Sequence, residues 1–583
     1  LDVGKRQLAK LTVAERIAVL EDCLPSISRV ARDWTDAACS AKGIAAKSPA
    51  RAEEILGGPV ATLRQLQLFL TTMRHIARRG APPVPKLVSH PSGKRLGAIV
   101  TPTAGLFDPL CFVNFTATTW LEERITRDNI RQHLAPAYEG LGRTGLSLVL
   151  GAGNVASIGL TDVLTKICVD NRAVLLKMNP VNDYLAPFFE QAFEPLIKAD
   201  LLRIVTGDAG IATQALHDTR VDDVHITGSG KTHDAICWGS DAETLQRRKQ
   251  ANDPVLKKPI TSELGNVSPW IVVPGVYSHR QMQAQAQNIV GSLTNNAAFN
   301  CVATRAIITW KQWPERERFM QMIEGGLAQV PQRKAYYPGA HQRYASFTGV
   351  APEDAQKHLK PGTLANHGLS ASKVRADGTT FFVAGPIRRD DSLPWTLIRN
   401  LSPLDTSPLY GEESFVCVCV EVAIDALNPD DFLNKAVEFS NERLWGTLAA
   451  SLSIPNGSTQ GASRLRLQDA IDRLRYGVVS CNQWSGLAFA LMSPPWGGYP
   501  GGTQQNPHSG IGWVHNSLML TGIEKTVVSA PLVVLPKPVW VPEHCRPEPV
   551  SWALHDLFRN PSWMNASKLA AIATTAALVR NPN

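Results

Sequence analysis

Between residues 146 and 227 the chain alternates short apolar runs with longer amphipathic ones, and this alternation restricts the fold more than any other feature. Residues 146–150, 173–177, 202–205 and 224–227 are apolar runs bounded by turn residues, and each reads as a strand. Helical periodicity fills roughly 158–169 and 185–197. Repetition of this kind builds a parallel sheet with covered faces, and ligands gather at the carboxyl ends of its strands. The turns there are Gly151-Ala152-Gly153-Asn154 and Gly228-Ser229-Gly230. Neither matches G-x-G-x-x-G, so by turn chemistry alone they are tight strand-to-helix turns.

The chain has 583 residues, which predicts two or three domains. A hydrophobic content of 44% with 19% charged residues fits a globular enzyme and excludes wholesale disorder. The net charge of +8 is scattered, and its densest runs, Arg247-Arg248-Lys249 and Arg388-Arg389, are too short for a nucleic-acid groove. Ten cysteines show no CxxC spacing, and His217, His225 and His233 suggest no metal site, so no metal is expected. Thiols placed in apolar runs, such as Cys417 and Cys419, point to a reducing compartment and a cytoplasmic location. No apolar run approaches the ~20 residues needed to span a bilayer. No signal-peptide pattern opens the sequence, but it begins at Leu1 rather than Met, so a targeting segment ahead of it stays open.

Thr12-Val13-Ala14-Glu15 is a capping box that starts a first helix, and residues 61–79 read as a second, broken by Gly80 to Pro85. A second α/β region is expected over about 261–480. Within it residues 331–395 read as a loop-dominated insertion. Residues 494–502 read as loop, 527–541 as an edge strand or arm, and 569–579 as a docking helix.

Cys301 follows the polar run Asn295-Asn296-Ala297-Ala298-Phe299-Asn300, and Glu263 lies upstream in Ser262-Glu263-Leu264-Gly265-Asn266. A thiol becomes a nucleophile through a base or a lowered pKa, and a carboxylate supplies the base. Each residue also has a plainer reading: a cysteine is usually a small buried hydrophobe, an asparagine such as Asn154 readily caps a helix, and a glutamate is usually solvated.

The order and spacing of these motifs resemble the aldehyde dehydrogenase superfamily from about residue 12 to about 535. Gly153-Asn154 resembles the family's Trp-Asn pair, and Lys177 follows at the spacing of its cofactor lysine. Thr227-Gly228-Ser229 matches Thr-Gly-Ser, Glu263-Leu264-Gly265 matches Glu-Leu-Gly, Glu413-Ser414-Phe415 matches Glu-x-Phe, and Pro495 to Tyr499 resembles Pro-Phe-Gly-Gly. The chain departs from the pattern by an insertion around 242–254, by Phe299-Asn300 before the cysteine, and by Pro180 where a glutamate is frequent.

The resemblance implies an α/β fold with a Rossmann-like cofactor domain, an α/β catalytic domain and an oligomerisation arm. The expected divisions are 1–260 for the N-terminal helices and nucleotide domain, 261–480 for the catalytic domain, 481–535 for a return to the cofactor domain plus arm, and 536–583 for an extension. It implies oxidation of an aldehyde to a carboxylic acid with NAD or NADP, Pro180 favouring tolerance of NADP. Cys301 is then the nucleophile, Glu263 the base that activates water, and Asn154 an oxyanion donor. Lys177, Gly228, Ser229, Glu413 and Phe415 hold the cofactor. A homodimer or homotetramer follows if residues 527–541 leave an open strand edge. The alternatives are a coenzyme A-acylating enzyme or acyl-CoA reductase, against which Glu263 argues, and an inactive scaffold, against which the intact Cys301, Glu263 and Asn154 argue.

Overall fold

A computed structural model describes residues 2–139, 144–349, 351, 371–374, 380–384 and 391–578. The predicted alternation folds into a six-stranded sheet. Its strands lie in the order Gly510–Ile511, Ile260–Glu263, Asp223–Thr227, Gly145–Leu150, Arg172–Lys177 and Leu202–Val205. All neighbours are parallel except Gly510–Ile511, which runs antiparallel to Ile260–Glu263. The central strand Gly145–Leu150 is buried throughout, and so is the helix Ile158–Cys168 that covers it. A strand with both faces covered reads as a continuous apolar run, and this one does. The helix expected over 185–197 divides into Ala186–Ala192 and Glu194–Lys198, because Pro195 has no N–H to continue the first ladder.

The second sheet has twelve strands. Seven parallel neighbours form its middle: Ile523–Ser529, Val478–Cys481, Ala449–Ser453, Ser268–Val272, Thr304–Trp310, Val418–Ile424 and Trp395–Arg399. At one end Ile523–Ser529 joins Val478–Cys481, followed by Thr116–Leu121, Leu96–Thr101 and Lys86–Ser89. At the other end lie Thr380–Ala384 and Ala371–Val374.

Several boundaries move. The strand Ile260–Glu263 belongs to the first sheet, so the division falls after Glu263 rather than at 260. The strands over 86–121 belong to the second sheet although they precede the first sheet in the chain. Residues 331–395 are not loop-dominated where described: Arg333–Lys334 pairs with Ser392–Leu393, Ala340–Thr348 is a helix, and two strands extend the large sheet. Much of the remainder, 352–370, 375–379 and 385–390, lies outside the described residues. The loop at 494–502 contains the short strand Pro495–Trp496, paired with Val514–His515. The 242–254 insertion forms the helix Ala242–Ala251, capped by Asp241.

The 527–541 segment also differs. Only Ile523–Ser529 is strand, and it is paired on both sides within the chain, so the open edge that argued for a homodimer or homotetramer is absent there. Sheet pairing needs complementary edges rather than local sequence, which is why a Pro-flanked apolar run did not reveal it. The extension forms two helices, Pro547–Arg559 and Trp563–Leu578. Val550, Leu557, Phe558 and Leu569 share an apolar core with Leu63, Leu66 and Phe69 of the N-terminal helix Ala61–Arg79. No helix among the described residues is long and apolar enough to cross a membrane.

Candidate active site

The carboxyl ends of the first sheet meet the amino ends of the second, and the predicted residues collect at that junction. Glu263 is the last residue of its strand, Gly228 follows Thr227, and Asn154 lies just beyond Leu150. From the other side, the helix His279–Thr294 turns into the loop that carries Cys301 and enters the strand Thr304–Trp310. The Cys301 thiol lies 3.4 Å from Glu263 Oε1. Glu263 is buried, and its Oε2 has no hydrogen-bond partner. Burial pushes its pKa up to about 7, and the Asp162 charge adds to this. Burial also holds the Cys301 thiol well above its ordinary value, with Glu263 and Glu413 adding to the rise. The resting cysteine is therefore a thiol beside a carboxylate poised near neutrality.

The loop before Cys301 is strained. Asn296, Ala297 and Ala298 have φ of 51°, 53° and 70°. Left-handed backbone costs about 1–2 kcal/mol per L-residue, and such positions persist only where the surroundings over-determine them. Here the surroundings do so carbonyl by carbonyl. Arg305 donates to Ala298 O at 2.6 Å, to Asn300 O at 3.4 Å and to Val416 O. Asn154 Nδ2 and Asn296 Nδ2 donate to Phe299 O at 3.0 and 3.1 Å. Ser268 Oγ donates to Cys301 O at 3.1 Å, and Trp484 Nε1 to Val302 O at 2.7 Å.

Asn154 does not cap the following helix, whose N-cap residue is Ser157. Its amide nitrogen faces the cysteine loop instead, and an amide nitrogen carries two hydrogens, of which Phe299 O takes one. The Cys301 N–H donates to no backbone carbonyl among the described residues and faces the residue's own thiol.

The residues expected to hold a dinucleotide are Lys177, Gly228, Ser229, Glu413 and Phe415. Ser229 caps the helix Gly230–Trp238, accepting from Thr232 N at 3.1 Å, so Gly228 and Ser229 lie at a helix N-terminus. Lys177 ends its strand, and burial lowers its pKa, with the Asp208 and Asp183 charges opposing that shift. The Glu413 carboxylate packs on the Cα of Gly265: a Cβ there would come within 2.0 Å of Glu413 Oε2, so Glu-Leu-Gly requires its glycine. Burial raises Glu413 to about 7, opposed by Arg305. Phe415 joins Phe299, Tyr336 and Tyr337 in an aromatic cluster, 5.9 Å from Phe299 and 5.1 Å from Tyr337 between ring centroids. Glu413 Oε1 and Arg343 Nε and Nη2 are buried without hydrogen-bond partners. Vicinal ribose hydroxyls both donate and accept, so this acceptor and these donors are groups that a ribose satisfies.

Sequence reasoning missed Arg343, which lay in the supposed loop region, and Trp445, whose ring closes over Gly230 and Gly265. It also missed the buried Lys42 and Glu54 and the half-buried Tyr336 behind Asn154. No motif marks these, since their partners are distant in the chain. His225 bonds to Thr261 at 2.9 Å, and no metal-binding cluster occurs among the described residues.

No family model matches this sequence, and no curated protein matches it either. Solved structures do match. Lactaldehyde dehydrogenase from Escherichia coli is 14% identical with a TM-score of 0.54, over 90% of this chain and 88% of that one. An indole-3-acetaldehyde dehydrogenase from P. syringae, solved with NAD+, is 15% identical with a TM-score of 0.53, over 90% and 85%. A glyceraldehyde-3-phosphate dehydrogenase from Methanocaldococcus jannaschii, solved with NADP, is 12% identical with a TM-score of 0.54, over 90% and 91%. At these identities the shared property is architecture, and it spans nine-tenths of the chain. The chain has the fold of the aldehyde dehydrogenases.

Proposed function

We propose that this protein oxidises an aldehyde to a carboxylic acid with NAD or NADP, through covalent chemistry at Cys301. The observation that carries the reading is the 3.4 Å contact between the Cys301 thiol and Glu263 Oε1, on a carboxylate that burial has raised to about 7. Glu263 accepts the thiol proton as sulfur attacks the aldehyde carbon, giving a thiohemiacetal. The oxyanion formed in that step is stabilised by the Cys301 N–H and the second hydrogen of Asn154 Nδ2. Lys177, Gly228, Ser229, Glu413 and Phe415, with Arg343, hold the dinucleotide. A nicotinamide held there would supply the hydride acceptor that oxidation of the thiohemiacetal to a thioester requires. Once Glu263 has released the thiol proton to solvent, its carboxylate takes a proton from water, whose oxygen bonds to the acyl carbon, and the Cys301 thiolate leaves as the acid is released.

Glu263 favours water over coenzyme A as acyl acceptor, because a thiol cosubstrate brings its own nucleophile and has less need of an adjacent base. The test is NAD(P)H formation on a panel of aldehydes, with and without coenzyme A. Multiple turnovers without coenzyme A are expected. A strict requirement for it, or no turnover on any aldehyde, defeats the hydrolytic reading.

A further inference from the structure

We propose that Lys42, held by Glu54 and Tyr336, is a positioning residue for acyl transfer at Cys301. It fixes the two asparagines, Asn154 and Asn296, that shape the oxyanion side of the nucleophile loop. The proposal deepens the reaction above and rests on it.

Lys42 is the residue that ends the long helix Val13–Ala41, and it is 5% exposed. Its ammonium donates to Glu54 Oε1 at 2.8 Å, to the backbone carbonyl of Asn154 at 2.9 Å and to Asn296 Oδ1 at 3.0 Å. These contacts use all three of its donors. The Tyr336 hydroxyl lies 3.0 Å from the same two oxygens, and its ring lies under the ammonium at 5.1 Å. Asn296 Nδ2 reaches the Asn154 carbonyl at 3.0 Å, Phe299 O at 3.1 Å and Asn300 Oδ1 at 3.1 Å. Its backbone N–H donates to Glu53 Oε2 at 3.0 Å, and Arg333 holds that carboxylate at 3.2 Å.

A buried ion pair is weak evidence for stability, since apolar residues of similar volume often replace one without loss. What apolar residues cannot do is aim. The Lys42 donors grip Asn154 by its main chain, which leaves the Asn154 amide free to face the loop. They grip Asn296 by its side chain, at the first of the three left-handed residues. One ammonium thus ties both walls of the oxyanion site together, and a small displacement there costs rate steeply.

A plain structural staple would make the same contacts, so the test compares two reactions of Cys301 in the full-length protein. Acylation by p-nitrophenyl acetate passes through an oxyanion, whereas alkylation by iodoacetamide displaces iodide and forms none. The variants are Tyr336→Phe and the double variant Lys42→Met/Glu54→Leu, which removes both charges together. Expected are acylation rates lower by ~30-fold for the double variant and ~5-fold for Tyr336→Phe, with alkylation within about 3-fold of wild type. If both reactions slow together, or neither slows, the cluster is a staple and the proposal falls. Should the double variant not fold, the same comparison on Tyr336→Phe decides. A wild type that is acylated normally but oxidises no aldehyde defeats the dehydrogenase reading and leaves this test standing.

Discussion

Two loops frame the proposed site, and they are built in opposite ways. The turn Thr227 to Gly230 is largely local: Ser229 caps its own helix through Thr232, three residues away, while the Gly228 N–H reaches Glu263 O at 3.0 Å and Thr227 Oγ1 reaches Asp162 at 2.9 Å. The loop Asn295 to Cys301 is assembled from afar. Residues 42, 154, 268, 305 and 336 fix its carbonyls and its Asn296 side chain. A local turn needs only turn chemistry, and its substitution disturbs one ligand contact. A strained loop needs every distant partner, and its substitution disturbs the chemistry. The contrast predicts that changes at the cysteine loop lower kcat, while changes at the turn raise KM for the dinucleotide.

Cys301→Ala is expected to have the largest effect, cutting aldehyde oxidation by ~10⁴-fold or more while a fluorescence titration shows dinucleotide binding intact. Activity retained within about tenfold would remove Cys301 from the mechanism. Glu263→Gln keeps the shape and removes the base. Stopped-flow should show a slowed burst of NAD(P)H and a steady state lower by ~10²–10⁴-fold. With a carboxylate at about 7, the wild-type steady-state rate should rise with pH through that value and then level off, because the base works only when deprotonated. A flat profile between pH 6 and 8 contradicts the assignment. Asn154→Ala should lower kcat by ~10²-fold, with KM for the aldehyde little changed. A KM effect alone would return Asn154 to a structural role.

At the turn the expected effects are smaller. Ser229→Ala and Lys177→Ala should each raise KM for the dinucleotide by ~5–10-fold with kcat nearly constant, reflecting lost capping and lost charge. Measuring both coenzymes sharpens this. Lys177→Ala should cost more with NADP than with NAD if Lys177 meets a 2′-phosphate, and equal losses would place the lysine elsewhere. The smallest effect is on stability. Glu263 is raised from 4.5 to about 7 in the folded protein, so its contribution is full below pH 4.5 and is lost as pH rises through 7. Glu263→Gln should therefore melt a few degrees higher than wild type at pH 8 and no higher at pH 5. The opposite order would show that the carboxylate is not desolvated.

Much of the first sheet could be read from residues alone. The runs at 146–150 and 202–205 are strands because continuous apolar residues between turn signals have few other uses, and Thr12 and Glu15 cap their helix through purely local bonds. The positions of Cys301, Glu263 and Asn154 were also legible, through the order of their motifs. What brings them within reach of one another was not. The pairing of Ile523–Ser529 on both edges, the strands hidden in 331–395, and the Lys42–Asn154–Asn296–Tyr336 cluster all join segments far apart in the chain. Hydrophobic periodicity and turn chemistry act over a few residues, so the sequence by itself determines elements and candidate groups. Left-handed backbone at Asn296 to Ala298 and a carboxylate near pH 7 exist only where packing excludes water and supplies every partner, and the tertiary structure alone decides that.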